Sequence, residues 1–180
     1  MEFKSTAIDG LWIIQPKVFE DERGYFFESY NKAIFLKHGI DIEFLQDNQS
    51  LSQNNVLRGL HFQNPPFAQG KLVRVINGAV WDIAVDVRKN SKTYGQSFGI
   101  ELTEKNKTMF WIPPGFAHGF LTLSDNTIFS YKCTNVYNKE AEDSILWNDL
   151  DLNINWKNAA PLLSEKDKNA KPFKNFVSLF

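Results

Sequence analysis

The stretch LRGLHFQNPP, Leu57 to Pro66, sets Arg58 and His61 three residues apart in an apolar run that stops at a double proline. A strand that only has to be buried has no use for either residue, because both are costly to desolvate. A histidine, with an unperturbed pKa of about 6.5, can act as a base near neutral pH, whereas a tyrosine at about 10 stays protonated and can donate. Tyr131 supplies such a ring, and Lys71 supplies a cation able to stabilise a developing oxyanion, as fixed charges do in a dry site. The combination suits removal of a proton next to a carbonyl. Taken singly, each has an ordinary role open to it: His61 as a half-buried core residue, Lys71 as a solvated strand end, Tyr131 as a core ring. Spacing alone does not bring them together.

Two short motifs bear on whether a metal takes part. His61-x-Gln63 and Pro113-x-Gly115-x-x-His118 are similar to the paired motifs of the cupin barrels, whose metal-binding members carry a second histidine where Gln63 stands. The chain has three histidines, and His38 falls in a predicted helix, so a multi-histidine site cannot be assembled. Arg58 and Lys71 on the neighbouring strands would also oppose a divalent cation. The reading is a barrel with no metal and no cofactor.

Those side chains need a frame, and apolar periodicity supplies one. Between residues 56 and 134 the runs VLRGLHFQ, KLVRVIN, AVWDIAVDV, SFGIEL, KTMFWI, AHGFLTLS and TIFSYKCT alternate with Gly, Pro, Asn and Asp breaks, which indicates short strands of a sandwich or barrel. Asn77-Gly78 between two alternating runs predicts a tight hairpin. In AVWDIAVDV, Trp81, Ile83, Val85 and Val87 share one face, and Asp82, Ala84 and Asp86 the other, so solvent or a cavity should meet the second. Short strands are also predicted around LWIIQPKVF and GYFFESY, followed by a helix from about Asn31 to His38 that stops at Gly39. After Trp147 the alternation fades. Ser164-Glu165-Lys166-Asp167 reads as a helix start, with Ser164 as cap and Asp167 completing a capping-box variant.

At 180 residues the chain suits one domain with a substantial core. A formal charge of −1 gives no broad positive field for a nucleic acid or an anionic membrane, so an anionic ligand must be held by a few local cations. Cys133 is the only cysteine, which excludes an internal disulfide framework. No signal-like segment or long apolar span is present, and a soluble cytoplasmic protein is expected.

QDNQS, VLRGLHFQ, QGKLVRVINGAVWDIAVDVRKNSKTYG, WIPPGFAHGFLTLSD, YKCTNVYN and LSEKD, with FEDERGYFFESY before them, occur in the order and spacing of the dTDP-4-dehydrorhamnose 3,5-epimerase family. The chain resembles that family over nearly its whole length. The resemblance implies an all-β jelly-roll cupin barrel with short peripheral helices, metal-free, forming one domain over 1–180. Its core barrel would span about 43–137, with a C-terminal tail, 147–180, carrying Asp167. It implies a homodimer in which N-terminal strands of one subunit complete the sheet and site of the other. The implied substrate is a dTDP-linked 4-keto-6-deoxy-hexose, inverted at C3 and C5 on the route to dTDP-L-rhamnose.

By the same resemblance His61 is the base, Asp167 orients and charges it, Lys71 stabilises the C4 enolate, and Tyr131 returns a proton to the opposite face. Arg58 and Arg23 match diphosphate contacts and Glu28 a nearby polar contact. Gln46 and Asn48 match residues close to the nucleotide, and Phe19 and Tyr137 match rings that hold the thymine. His118 matches a buried family histidine with Asp82 as its partner. Gln49 stands where family members commonly have histidine. Three other readings compete: a non-catalytic sugar-binding barrel, a metal-dependent oxygenase, and an epimerase or ketoisomerase acting at a single position. The first has no need of His61, Lys71, Tyr131 and Asp167 together, and Gln63 disfavours the second.

Overall fold

Two antiparallel sheets face each other in the computed structural model, which describes residues 1–180. The first runs in spatial order β1 (Glu2–Ser5), β2 (Trp12–Gln15), β10 (Met109–Ile112), β7 (Lys71–Asn77), β12 (Thr127–Cys133) and β5 (Gln46–Ser52). The second runs β13 (Glu142–Ser144), β6 (Leu57–Gln63), β11 (Phe116–Thr122), β8 (Ala79–Asp86) and β9 (Ser97–Thr103). A separate hairpin joins β3 (Phe19–Asp21) to β4 (Gly24–Phe26). Two short helices complete the fold: α1 (Lys32–Lys37), capped by the Asn31 side chain, and α2 (Glu165–Lys168), capped by Ser164. This is the all-β, cupin-like arrangement predicted, with the sheets left separate in their hydrogen bonding.

Three apolar clusters fix the layers. Val73, Val75, Phe110 and Phe129 of the first sheet meet Val80, Ala84, Leu102 and Phe120 of the second, filling one end of the space between them. Behind the second sheet, Leu60, Phe62, Ile83 and Val85 pack under the C-terminal segment through Ile145, Leu152, Trp156 and Phe176. Behind the first, Leu72, Met109 and Trp111 are covered by Phe35 of α1 and by Ile40. The other end of the inter-sheet space stays open as a cavity, with rigid strands on both sides.

All seven predicted central strands are present, but two local expectations need correction. Asn77-Gly78 is not a hairpin turn: β7 and β8 belong to different sheets. Gly78, at φ +83°, turns the chain across the sandwich, and a side chain there would come 2.5 Å from Thr127 Oγ1. Apolar periodicity does not predict strand β5, because QDNQSLS has no apolar alternation. Its alternation is polar instead, with Gln46, Asn48, Ser50 and Ser52 less exposed than the residues between them. The polar face of β8 meets the interior, since Asp82, Ala84 and Asp86 are all fully buried.

The spacing of Arg58 and His61 is explained by a bulge. Strand β6 pairs His61 with His118 and Arg58 with Phe120 of β11, three steps on one strand against two on the other. The extra residue resets the alternation, so side chains three apart point to the same side. Gly59 makes this possible: its φ is +142°, and a methyl group on it would lie 2.5 Å from the Gly119 Cα.

Candidate active site

A cavity of about 620 Å³ opens between the sheets at the Arg58 and His61 end. Arg58, His61, Lys71, His118, Tyr131 and Asp167 line it, with Gln46, Asn48 and Tyr137. Strand β6 delivers Arg58 and His61, β7 delivers Lys71, β12 delivers Tyr131, and α2 delivers Asp167 from 106 residues beyond His61.

His61 Nε2 bonds Asp167 Oδ1 at 2.5 Å. With Nε2 turned to the carboxylate, Nδ1 is the ring nitrogen left to take a proton. Burial by itself would raise the Asp167 pKa, but His61, the Ser164 hydroxyl and Lys166 outweigh it and hold the carboxyl below its ordinary value. The capping expectation needs adjustment here. Ser164 Oγ does accept the Asp167 N–H at 3.1 Å, yet the Asp167 carboxylate does not reach back to close a capping box and instead accepts the Ser164 O–H at 2.9 Å.

Lys71 is buried, and its ammonium makes a single long hydrogen bond of 3.4 Å, to the His61 carbonyl. Burial pulls its pKa down, partly opposed by Cys133, Asp82 and Glu142. An underused buried donor of this kind is poised for an oxyanion. Tyr131 stands opposite Asn48 on β5, and burial first, then Cys133, pushes its pKa up despite Asn48 and Arg58, so its proton stays on near neutral pH. Arg58 lies at the exposed rim, where Nε and Nη2 donate to Ser52 Oγ at 3.2 and 3.1 Å. The guanidinium is aimed but keeps donors for a ligand. His118 donates from Nε2 toward both carboxylate oxygens of the fully buried Asp82, at 2.9 and 3.1 Å, confirming the expected pair.

Along the β5 wall of the cavity Gln46 Nε2 donates to Asn48 Oδ1 at 2.9 Å, and Gln46 Oε1 accepts the Tyr137 N–H at 2.7 Å. Three candidates lie outside the cavity of their own chain. Phe19 and Arg23 sit on the β3–β4 hairpin, Arg23 paired with its neighbour Asp21, and Glu28 accepts from Asn31 Nδ2 at 3.1 Å. Gln63 is tied to the scaffold: its amide donates to Phe67 O and Val136 O, and its carbonyl accepts the Asn138 N–H. Its side-chain oxygen already serves that N–H, and no group of three His, Cys, Asp or Glu side chains lies near it in a ligating arrangement.

Sequence reasoning missed Glu142 and Ser50. Glu142 accepts from the Tyr137 hydroxyl at 3.1 Å and pairs with Lys166 at 2.6 Å, linking Tyr137 to α2. Its neighbourhood, NKEAEDS, reads as a solvated charged loop. Ser50 lines the cavity with a buried hydroxyl that has no partner in the protein. The only signal for it is the polar alternation of β5.

The sequence pattern of the family described as dTDP-4-dehydrorhamnose 3,5-epimerase matches residues 5–175. The dTDP-4-dehydrorhamnose 3,5-epimerase of Methanothermobacter thermautotrophicus is 51% identical over 175 residues, covering 96% of this chain and 94% of that protein. Among solved structures, dTDP-6-deoxy-D-glucose-3,5-epimerase RmlC of Legionella pneumophila, in complex with dTDP-4-keto-L-rhamnose, superposes with a TM-score of 0.94 at 47% identity, covering 98% of this chain and 94% of that one. ChmJ of Streptomyces bikiniensis, a 3′-monoepimerase in complex with dTDP-quinovose, gives a TM-score of 0.88 at 31% identity, covering 94% and 86%.

Proposed function

The chain belongs to the dTDP-4-dehydrorhamnose 3,5-epimerase family, and from that membership we propose how its cavity carries out the reaction. The enzyme is an isomerase acting on dTDP-4-dehydro-6-deoxy-D-glucose in dTDP-L-rhamnose biosynthesis, inverting C3 and C5. The C4 ketone acidifies the hydrogens on both carbons, so one base and one oxyanion site serve two positions. His61 Nδ1 takes the proton from carbon while Asp167 stabilises the imidazolium that forms. The electron pair moves onto the C4 oxygen, and Lys71 donates to the resulting enolate. Tyr131 then delivers a proton to the opposite face of the carbon, inverting it, and proton exchange with solvent returns His61 to the neutral base and Tyr131 to the phenol before the second carbon is inverted. No step changes oxidation state, so the chemistry requires no redox cofactor. The observation that carries this reading is the convergence of His61, Asp167, Lys71 and Tyr131 on one cavity from four separate elements.

Arg58, steadied by Ser52, binds the diphosphate, and Gln46, Asn48 and Tyr137 border the thymine. Phe19, Arg23 and Glu28 serve the cavity of a second copy of the chain in a homodimer. Two features support this arrangement. The β3–β4 hairpin pairs with no other strand of its own chain, and it exposes Phe19, Tyr25 and Phe26. Incubation with dTDP-4-keto-6-deoxyglucose in deuterated water tests the assignment. Label at both C3 and C5 with accumulation of the L-configured product is expected. Label at one position only would make this a single-position epimerase.

A further inference from the structure

Asp167 is gripped from both sides. One carboxylate oxygen receives His61 Nε2, and the other receives the Ser164 hydroxyl at 2.9 Å. The same Ser164 oxygen accepts the Asp167 backbone N–H at 3.1 Å. A residue that only capped the helix would use its oxygen as acceptor and leave its proton free. Here the proton goes to the carboxylate that works on His61. Helix α2 is one turn long, too short to hold a side chain's orientation by helical propensity, so the contacts of Asp167 must fix it.

We propose that Ser164 is a positioning residue for the epimerisation, its O–H holding the Asp167 carboxylate turned toward His61 Nε2 so that Nδ1 remains the basic nitrogen. The inference rests on His61 and Asp167 acting as the proton-abstracting pair. Other charges around Asp167 are accounted for. Lys166 on α2 is engaged by Glu142 of β13, Glu165 pairs with Lys168 at the surface, and Lys71 of β7 reaches the His61 carbonyl. Besides His61, Ser164 is the one side chain that donates directly to the Asp167 carboxylate. Without it a buried carboxylate oxygen has no side-chain donor, the proton affinity of the pair rises, and the acid limb of activity moves to higher pH.

The test compares Ser164→Ala, Ser164→Thr and Ser164→Gly for kcat, KM and the pH profile of kcat. Threonine keeps donor and acceptor and should match the parent. Alanine removes both. It should lower kcat about tenfold and move the acid limb up by about one pH unit, the effect of losing a hydrogen bond to a charged group, while KM holds. Glycine is tolerated at a helix N-cap but brings no proton, and should be as slow as alanine. If Ser164 merely caps α2, the Ser164→Gly protein will behave like the parent, which overturns the inference, as does a Ser164→Ala enzyme with parental kcat and acid limb. His61→Asn and Asp167→Asn run in the same assays keep the two claims apart. Activity retained in those variants would refute the pair itself, and the role of Ser164 would fall with it.

Discussion

Arg58 and His61 share a strand and face one cavity, yet the proposed reaction gives them different charges to handle. Arg58 sits at the rim with Ser52 holding one side of its guanidinium, and Arg58→Ala should weaken binding of dTDP by about 2 kcal/mol or more, as expected for loss of a charge-assisted contact to phosphate. Calorimetric titration with dTDP checks this, and undiminished affinity would remove Arg58 from the site. Lys71 lies deeper, with one long hydrogen bond. Lys71→Met should leave dTDP affinity near the parental value and reduce kcat by about a hundredfold or more, because the donor acts on charge that exists only in the transition state and the enolate. A fall in affinity without a fall in kcat would make Lys71 a binding residue. The identities of these side chains were legible from their types, which are out of place in apolar strands. Their convergence was not legible from spacing and came only through the family resemblance, because Asp167 arrives from a distant helix whose residues, read by themselves, form a capping motif.

Among the elements, β6 carries the geometry. Its bulge lets residues three apart face the same way, and it depends on the close passage of Gly59 over Gly119. Gly59→Ala should destabilise the fold by about 2 kcal/mol or more, through both the positive φ and the lack of room for a methyl group, whereas alanine at the surface residue Lys139 should have little effect. Urea unfolding measures the difference. The seven central strands were legible because their apolar runs are bounded by clear breaks. Strand β5 was not, since its inward row is Gln46, Asn48, Ser50 and Ser52, and polar residues facing a cavity carry no hydrophobic signal. Asn77-Gly78 misled for a different reason: the dipeptide specifies a tight turn but not whether the next strand joins the same sheet.

For the molecule as a whole, acid should act through Asp86 as well as through the active site. Burial would raise its pKa, but Arg88, Ser91 and Thr93 outweigh it and hold it at about 2, against 3.8 for an ordinary aspartate. A carboxyl depressed in the folded state stabilises it above the unfolded pKa, and that contribution, about 2 kcal/mol, is lost as pH falls from about 4 to 2. Unfolding midpoints across that range should drop for the parent and much less for Asp86→Asn, which starts less stable at neutral pH. The proposed dimer makes a second demand on the whole assembly. Refolding Arg23→Glu together with His61→Asn should restore activity that neither has alone, because a mixed pair contains one cavity with both residues intact. The central claim, however, concerns two proton-transferring groups on opposite faces of one substrate, and deuterium uptake measured beside inversion tests it most directly. In His61→Asn both should fall by about a hundredfold or more, the cost of a lost general base. In Tyr131→Phe the enolate still forms and is reprotonated from the His61 side, so label should enter C3 and C5 with the original configuration largely kept. Equal loss of exchange and inversion in a folded Tyr131→Phe enzyme, or exchange retained in His61→Asn, would contradict the account.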